Sequence, residues 1–176
     1  MIFNSTTLKD ATLIELERRG DDRGFFARTF CVDEFSAAGL PTEFVQHNMS
    51  YSARKGTIRG MHFQHAPHAE DKVVRCVRGA LLDVIIDLRP DSPTYLKWEG
   101  FELTEDNKNM LFVPKGFAHG FQTLTDDVEV SYLSSYRYTP SAEGGVRWND
   151  PAFGINWPHA PTEMSDKDAA LPDFKG

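Results

Sequence analysis

Apolar and polar residues alternate in short runs along most of the chain. Across residues 81–88, Leu82, Val84, Ile86 and Leu88 fall on one face, with Asp83, Ile85 and Asp87 on the other. Similar runs, rich in β-branched and aromatic residues, occupy 11–16, 25–30, 44–50, 57–64, 72–77, 97–103, 110–113, 118–124 and 128–136. Turn residues separate them, among them Asp21-Asp22-Arg23-Gly24, Arg54-Lys55-Gly56, Arg78-Gly79 and Pro90-Asp91-Ser92-Pro93. Helical signal is scarce. Asp33 is placed to cap a short helix over 34–38, stopped by Gly39 and Pro41, and a second short helix is expected over 166–169. After Thr139-Pro140 the pattern dissolves into Gly, Pro, Asn and Trp. Many short strands with tight turns predict an all-β fold, an antiparallel jelly-roll barrel with short helices and an irregular C-terminal tail. Neither a linker composition nor an internal repeat divides residues 1–176, so one domain is expected. In such a barrel the mouth is the natural small-molecule site.

Composition narrows the partners. The net charge of −7 disfavours a nucleic-acid backbone or an anionic membrane, while leaving room for a local basic site that takes an anionic small molecule. No apolar run is long enough to span a bilayer, and the first residues lack a charged-then-apolar leader pattern. The two cysteines, Cys31 and Cys76, make no disulfide framework. A cytoplasmic protein is the expectation.

Two stretches suggest chemistry. In Arg59-Gly60-Met61-His62-Phe63-Gln64, strand alternation sets Arg59, Met61 and Phe63 on one face and Gly60, His62 and Gln64 on the other. A histidine on a sheet face, with a glycine beside it leaving room for a ligand, is a candidate general base. In Pro114-Lys115-Gly116-Phe117-Ala118-His119, a turn leads into a strand that begins near His119. This second stretch resembles the second motif of the cupin superfamily, and His62 with His65 resembles part of the first. A metal site built from His62, His65 and His119 with Glu70 is one reading of that likeness.

A fuller resemblance runs over nearly the whole chain. It is carried by Asp22-Arg23-Gly24-Phe25-Phe26, by Phe44-Val45-Gln46-His47-Asn48-Met49-Ser50, by the 59–64 stretch and by Lys72-Val73-Val74-Arg75-Cys76. It continues through Asp83-Val84, Asp87-Leu88-Arg89, residues 114–121 and 132–138, Glu143-Gly144, Trp148-Asn149-Asp150 and Ser165-Asp166-Lys167-Asp168. These stretches, in this order, resemble the dTDP-4-dehydrorhamnose 3,5-epimerase family. The resemblance implies a jelly roll, a homodimer, no metal and no cofactor, and a nucleotide-sugar substrate. It implies proton abstraction beside a 4-keto group, with His62 as base, Asp168 as the carboxylate that orients it, Tyr132 as acid on the opposite face and Lys72 at the enolate oxygen. It puts Arg23, Gln46, Asn48, Arg59, His119, Tyr138, Glu143 and Lys167 in binding roles. Arg59 suits a diphosphate, because its guanidinium makes two parallel hydrogen bonds. Trp98, Trp148 and Trp157 are expected in the core or at a dimer interface.

The chain departs from the family pattern at Arg28, where a glutamate at a nucleotide-binding position is usual, and at His47, where an aspartate is common. Both changes remove negative charge and put the nucleotide in question while leaving the catalytic set intact. The alternatives are an epimerase acting at C3 or C5 alone or on another nucleotide sugar, the metal-dependent cupin enzyme, and a sugar-nucleotide-binding module without catalysis.

Overall fold

The structure is a computed structural model that describes residues 1–175. In chain order its strands are β1 (Ile2–Ser5), β2 (Thr12–Glu15), β3 (Arg19–Asp21), β4 (Gly24–Phe26), β5 (Gln46–Ser52), β6 (Ile58–Gln64) and β7 (Lys72–Arg78). They continue as β8 (Ala80–Asp87), β9 (Trp98–Thr104), β10 (Met110–Val113), β11 (Phe117–Thr123), β12 (Val128–Ser134) and β13 (Glu143–Gly145). Helix α1 (Val32–Ala37) precedes β5, a 3-10 turn (Pro140–Ala142) precedes β13, and α2 (Asp166–Ala169) lies near the C-terminal end. A six-stranded sheet ordered β1-β2-β10-β7-β12-β5 faces a five-stranded sheet ordered β13-β6-β11-β8-β9, every pairing antiparallel, and β3-β4 forms a separate hairpin. This is the jelly roll the pattern predicts.

Three apolar layers follow from the alternation. Between the sheets, Val74, Cys76, Leu111, Val113 and Val130 of one sheet meet Leu81, Ile85, Leu103, Phe117 and Phe121 of the other. Outside the five-stranded sheet, Met61, Val84, Ile86 and Ala118 are covered by Phe153, Ile155, Trp157 and Phe174 of the C-terminal segment. That segment has no sequence period because it is a lid of isolated anchors, and the layer also receives Trp98. Outside the six-stranded sheet, Val73, Met110 and Phe112 pack under Phe35 of α1, with Phe30 and Phe44 edge-on to Phe35 at centroid distances of 4.9 and 6.2 Å. Strand β8 is buried on both faces, which accounts for its nearly continuous apolar run.

Several local expectations are corrected. Helix α1 begins at Val32 with Cys31 at its N-cap and no side-chain cap, so Asp33 sits in the first turn, where its charge favours the helix dipole instead of capping. The strand expected over 25–30 stops at Phe26, because Phe30 is drawn into the layer beneath α1. The most consequential correction is in β6. Pairing with β11 is His119 to His62 and then Phe121 to Arg59, so Gly60 and Met61 together oppose Gly120. This bulge resets the alternation and puts Arg59 on the same side as His62. Gly60 adopts φ +125°, and a Cβ there would stand 2.5 Å from the Cα of Gly120, so glycine is required at this crossing.

Candidate active site

The open end of the barrel holds two adjoining hollows that share His62, Lys72 and Tyr132. One, of about 320 Å³, is lined by Arg59, His119, Lys167 and Asp168 besides the shared residues. The other, of about 420 Å³, is bounded by Gln46, Asn48, Glu70, Tyr138 and Glu143.

His62 projects from β6 at the bulge. Its Nε2 lies 2.7 Å from Asp168 Oδ1, while Asp168 Oδ2 accepts a hydrogen bond from the Gly60 backbone at 3.1 Å. Asp168 is delivered from the far end of the sequence by α2, whose N-cap is Ser165; the Ser165 hydroxyl accepts from the Asp168 backbone N–H at 3.1 Å. The preceding segment is stitched to β6 through Ile58 N–H to Glu163 O at 3.0 Å. Burial alone would raise the Asp168 carboxyl. The hydrogen bonds from His62 and Gly60, with the charge of His62, outweigh it and hold the group below its ordinary range. His62 remains one-third exposed and so faces the hollow while its partner is buried.

Across β6 and β11, His119 is the direct partner of His62. Its Nε2 lies 3.0 Å from each oxygen of Asp83, a wholly buried carboxylate on β8. Arg59 is braced by Ser52 Oγ at 3.0 Å and the Tyr51 carbonyl at 2.8 Å.

The opposite wall comes from the six-stranded sheet. Tyr132 and Ser134 on β12 point inward, as do Lys72 on β7 and Gln46 and Asn48 on β5. Burial, helped by the charge of Glu70, raises the Tyr132 phenol, and a hydrogen bond with Asn48 and the charge of Arg59 oppose the rise. Lys72 is paired with Glu70 at 3.0 Å, both side chains being 13% exposed. At the rim, Lys167 meets Glu143 at 2.5 Å, Tyr138 donates to the same carboxylate at 2.9 Å, and Gln46 Oε1 accepts from the Tyr138 backbone at 2.8 Å. The Lys167 bond holds Glu143 below the usual carboxylate range and raises Lys167, and the Glu143 bond raises Tyr138.

Eleven of the residues named from sequence therefore meet at one opening: His62, Lys72, Tyr132, Asp168, Gln46, Asn48, Arg59, His119, Tyr138, Glu143 and Lys167. Three lie elsewhere in the single chain. His47 points outward between Gln46 and Asn48, bonds Ser131 Oγ at 2.8 Å, and lines a hollow on the outer face of the six-stranded sheet with Phe30 and Arg75. Arg23 forks onto Asp21 in the exposed β3-β4 hairpin. Arg28 pairs with Glu34 at 2.8 Å, in a crevice shared with Met1 and Glu17. Two further groups support the site: Asp83, and Glu70, which the cupin likeness offers only as a metal ligand. An aspartate on the inward, non-lid face of a doubly buried strand was the available signal for the first. Among the described residues no group of three His, Cys, Asp or Glu is gathered as a metal site, and His65 turns its ring edge-on to Phe63.

Chemically, the opening sets an aspartate-held imidazole opposite a buried phenol, with a lysine on the phenol's wall and basic groups at the side. Such a site suits removal of a proton beside a carbonyl and its return from the other face. Comparison with known proteins agrees. The chain is 45% identical to a dTDP-4-dehydrorhamnose 3,5-epimerase of Sinorhizobium fredii, covering 99% of this chain and 90% of that protein. It is 42% identical to a dTDP-4-dehydrorhamnose 3-epimerase of Streptomyces niveus, covering 88% and 76%. Its fold superposes with TM-score 0.96 on a crystal structure of the 3,5-epimerase from Bacillus anthracis with TDP and PPi bound, at 45% identity and covering 98% and 99% of the two chains. Residues 5–176 match the family model described as dTDP-4-dehydrorhamnose 3,5-epimerase, and with this site at the barrel mouth the chain belongs to that epimerase family of isomerases.

Proposed function

We propose that the chain inverts C3 and C5 of dTDP-4-dehydro-6-deoxyglucose through enolate intermediates. The observation that carries the reading is the juxtaposition of the His62–Asp168 pair with Lys72 and Tyr132 around one opening. His62, through the ring nitrogen that does not face Asp168, takes the proton from the carbon beside the 4-keto group. The C–H electrons move into the carbonyl and leave an enolate oxygen, which the Lys72 ammonium stabilises. Tyr132 then gives its proton to the carbon from the opposite face, and the stereocentre is inverted. Once solvent has taken the proton from His62 and returned one to Tyr132, the same sequence on the other side of the carbonyl inverts the second centre. Arg59, His119 and Lys167 supply positive charge and donors for the diphosphate. Gln46, Asn48, Tyr138 and Glu143 line the adjoining hollow and hold the rest of the ligand.

A homodimer is part of the proposal. Arg23 and Arg28 do not line the opening of their own chain, so a nucleotide role for them requires a second copy. A cytoplasmic setting is proposed as well; no helix among the described residues is long and apolar enough to cross a membrane.

Proton NMR in heavy water with dTDP-4-dehydro-6-deoxyglucose tests the reading. Deuterium is expected at C3 and C5 with inversion at both. Exchange and inversion confined to C3 would reduce the activity to that of a 3-epimerase. Turnover without solvent exchange at either carbon would overturn the enolate route.

A further inference from the structure

We propose that Glu70 is a positioning residue of this site, whose carboxylate anchors the Lys72 ammonium and stands in the same hollow as the Tyr132 hydroxyl. The inference rests on the proposed epimerisation and assigns a role to a group that reaction does not otherwise use. Glu70 lies in the loop before β7 and is almost enclosed. Its Oε1 is 3.0 Å from Lys72 Nζ, and its Oε2 accepts from Ser134 Oγ at 2.7 Å. Lys72 and Ser134 are themselves cross-strand partners on β7 and β12. Both carboxylate oxygens are thus committed to the wall, which fixes the lysine without Glu70 needing to touch the sugar.

Tyr132 stands two residues before Ser134 on the same face of β12 and lines the same hollow as Glu70. A phenolate at Tyr132 would face Glu70 as a like charge, and the Glu70 charge raises the phenol after burial has done so. The other carboxylates near Tyr132 are paired on the facing sheet or at the rim, whereas the Glu70–Lys72 pair lies on the wall that carries Tyr132. Arg59 and Lys72 are the cations, His62 is matched to Asp168, and His119 to Asp83. At the rim Glu143 is tied to Lys167. Glu70 is the carboxylate set against the Tyr132 phenolate, and Lys72 is its counterweight. The proton donor therefore stays loaded further into alkaline pH.

The test is a titration of phenolate absorbance in wild type and Glu70→Gln, each with its Tyr132→Phe counterpart subtracted, alongside pH profiles of kcat and KM. In Glu70→Gln the Tyr132 phenolate should appear at lower pH, and the alkaline limb of kcat should move down with it. At neutral pH kcat should fall by roughly 10- to 100-fold, the scale of a misplaced catalytic group, with KM little changed. Glu70→Asp keeps the charge and should leave the titration near that of wild type. Coincident titrations and alkaline limbs in wild type and Glu70→Gln would overturn the proposal. Should Glu70→Gln fail to fold, Lys72→Met gives the opposite readout: with its counterweight gone, the Tyr132 phenolate should appear at higher pH, and an unmoved titration overturns the proposal. A wild-type protein that binds but does not turn over the sugar nucleotide would sink the epimerase reading, while the titrations still decide where Glu70 acts.

Discussion

Two histidines face each other across β6 and β11, and each has a buried aspartate, yet the two pairs are built differently. Asp83 reaches His119 from β8, the neighbouring strand of the same sheet, and the imidazole is only 13% exposed. Asp168 reaches His62 from α2, an element outside both sheets, and His62 is 33% exposed. Both oxygens of Asp83 lie 3.0 Å from the one imidazole nitrogen, whereas those of Asp168 are divided between His62 and the Gly60 backbone. A histidine locked inside a sheet is a fixed donor. A histidine open to the hollow and oriented by a carboxylate has the access to a ligand that a general base needs. The account assigns the base to His62 and a ligand-holding role to His119 on this difference.

The largest effect should come from removing the base. His62→Ala is expected to lower kcat on the order of 10²–10⁴-fold. His119→Ala should act mainly through KM, since it removes a ligand contact. Steady-state kinetics of the two variants compares them, and equal losses of kcat would erase the distinction.

Tyr132→Phe sharpens the comparison from the other face. Proton removal by His62 should continue, so solvent exchange should outlast inversion, with net inversion reduced on the order of 10²-fold. Parallel loss of exchange and inversion would count against a two-face mechanism.

A smaller effect comes from the Asp168 carboxyl and is read by pH. The folded structure holds the Asp168 carboxyl below its ordinary value, so its contribution to stability is complete above the ordinary carboxylate range. It is lost as pH falls through the lowered folded value. Urea melts of wild type and Asp168→Asn should therefore show a stability gap that is constant near neutrality and closes on acidification. A gap that widens in acid would reverse the assigned direction.

The smallest expected effect is at Arg28. Its pairing with Glu34 is exposed and away from the opening, so Arg28→Glu should leave the solvent-exchange chemistry intact. If a second copy brings this residue to the nucleotide, the variant should shift preference among thymidine, guanosine and cytidine diphosphate sugars. Identical rankings with thymidine first would remove Arg28 from nucleotide choice.

Where local pattern decided the structure, the sequence was easy to read. Strand β10 at Met110–Val113, helix α2 at Asp166–Ala169 and the two-faced β8 all follow from residue type and period. Where long-range packing decided it, local reading failed. Arg59 joins His62 only because Gly60 and Met61 share one partner on β11, and no alternation rule contains that bulge. The C-terminal segment looked structureless because its anchors answer to the outer face of a sheet and keep no period of their own. His47 stands at a family position where an aspartate is common, but strand alternation turns it to the outer face. Within the site, the residues were assembled from family resemblance, and no spacing alone pairs His62 with a carboxylate 106 positions away. Asp83 was legible as an inward acid on a buried strand, but its partner His119 becomes evident only once β8 and β11 are in register.

The most direct test of the central difference is site-resolved deuterium uptake in heavy water, with dTDP-4-dehydro-6-deoxyglucose bound to His62→Ala and to His119→Ala at saturating concentration. The account predicts that uptake at C3 and C5 is nearly abolished in His62→Ala and persists in His119→Ala. Persistent uptake in His62→Ala, with loss in His119→Ala, would move the base to the other histidine and contradict the account.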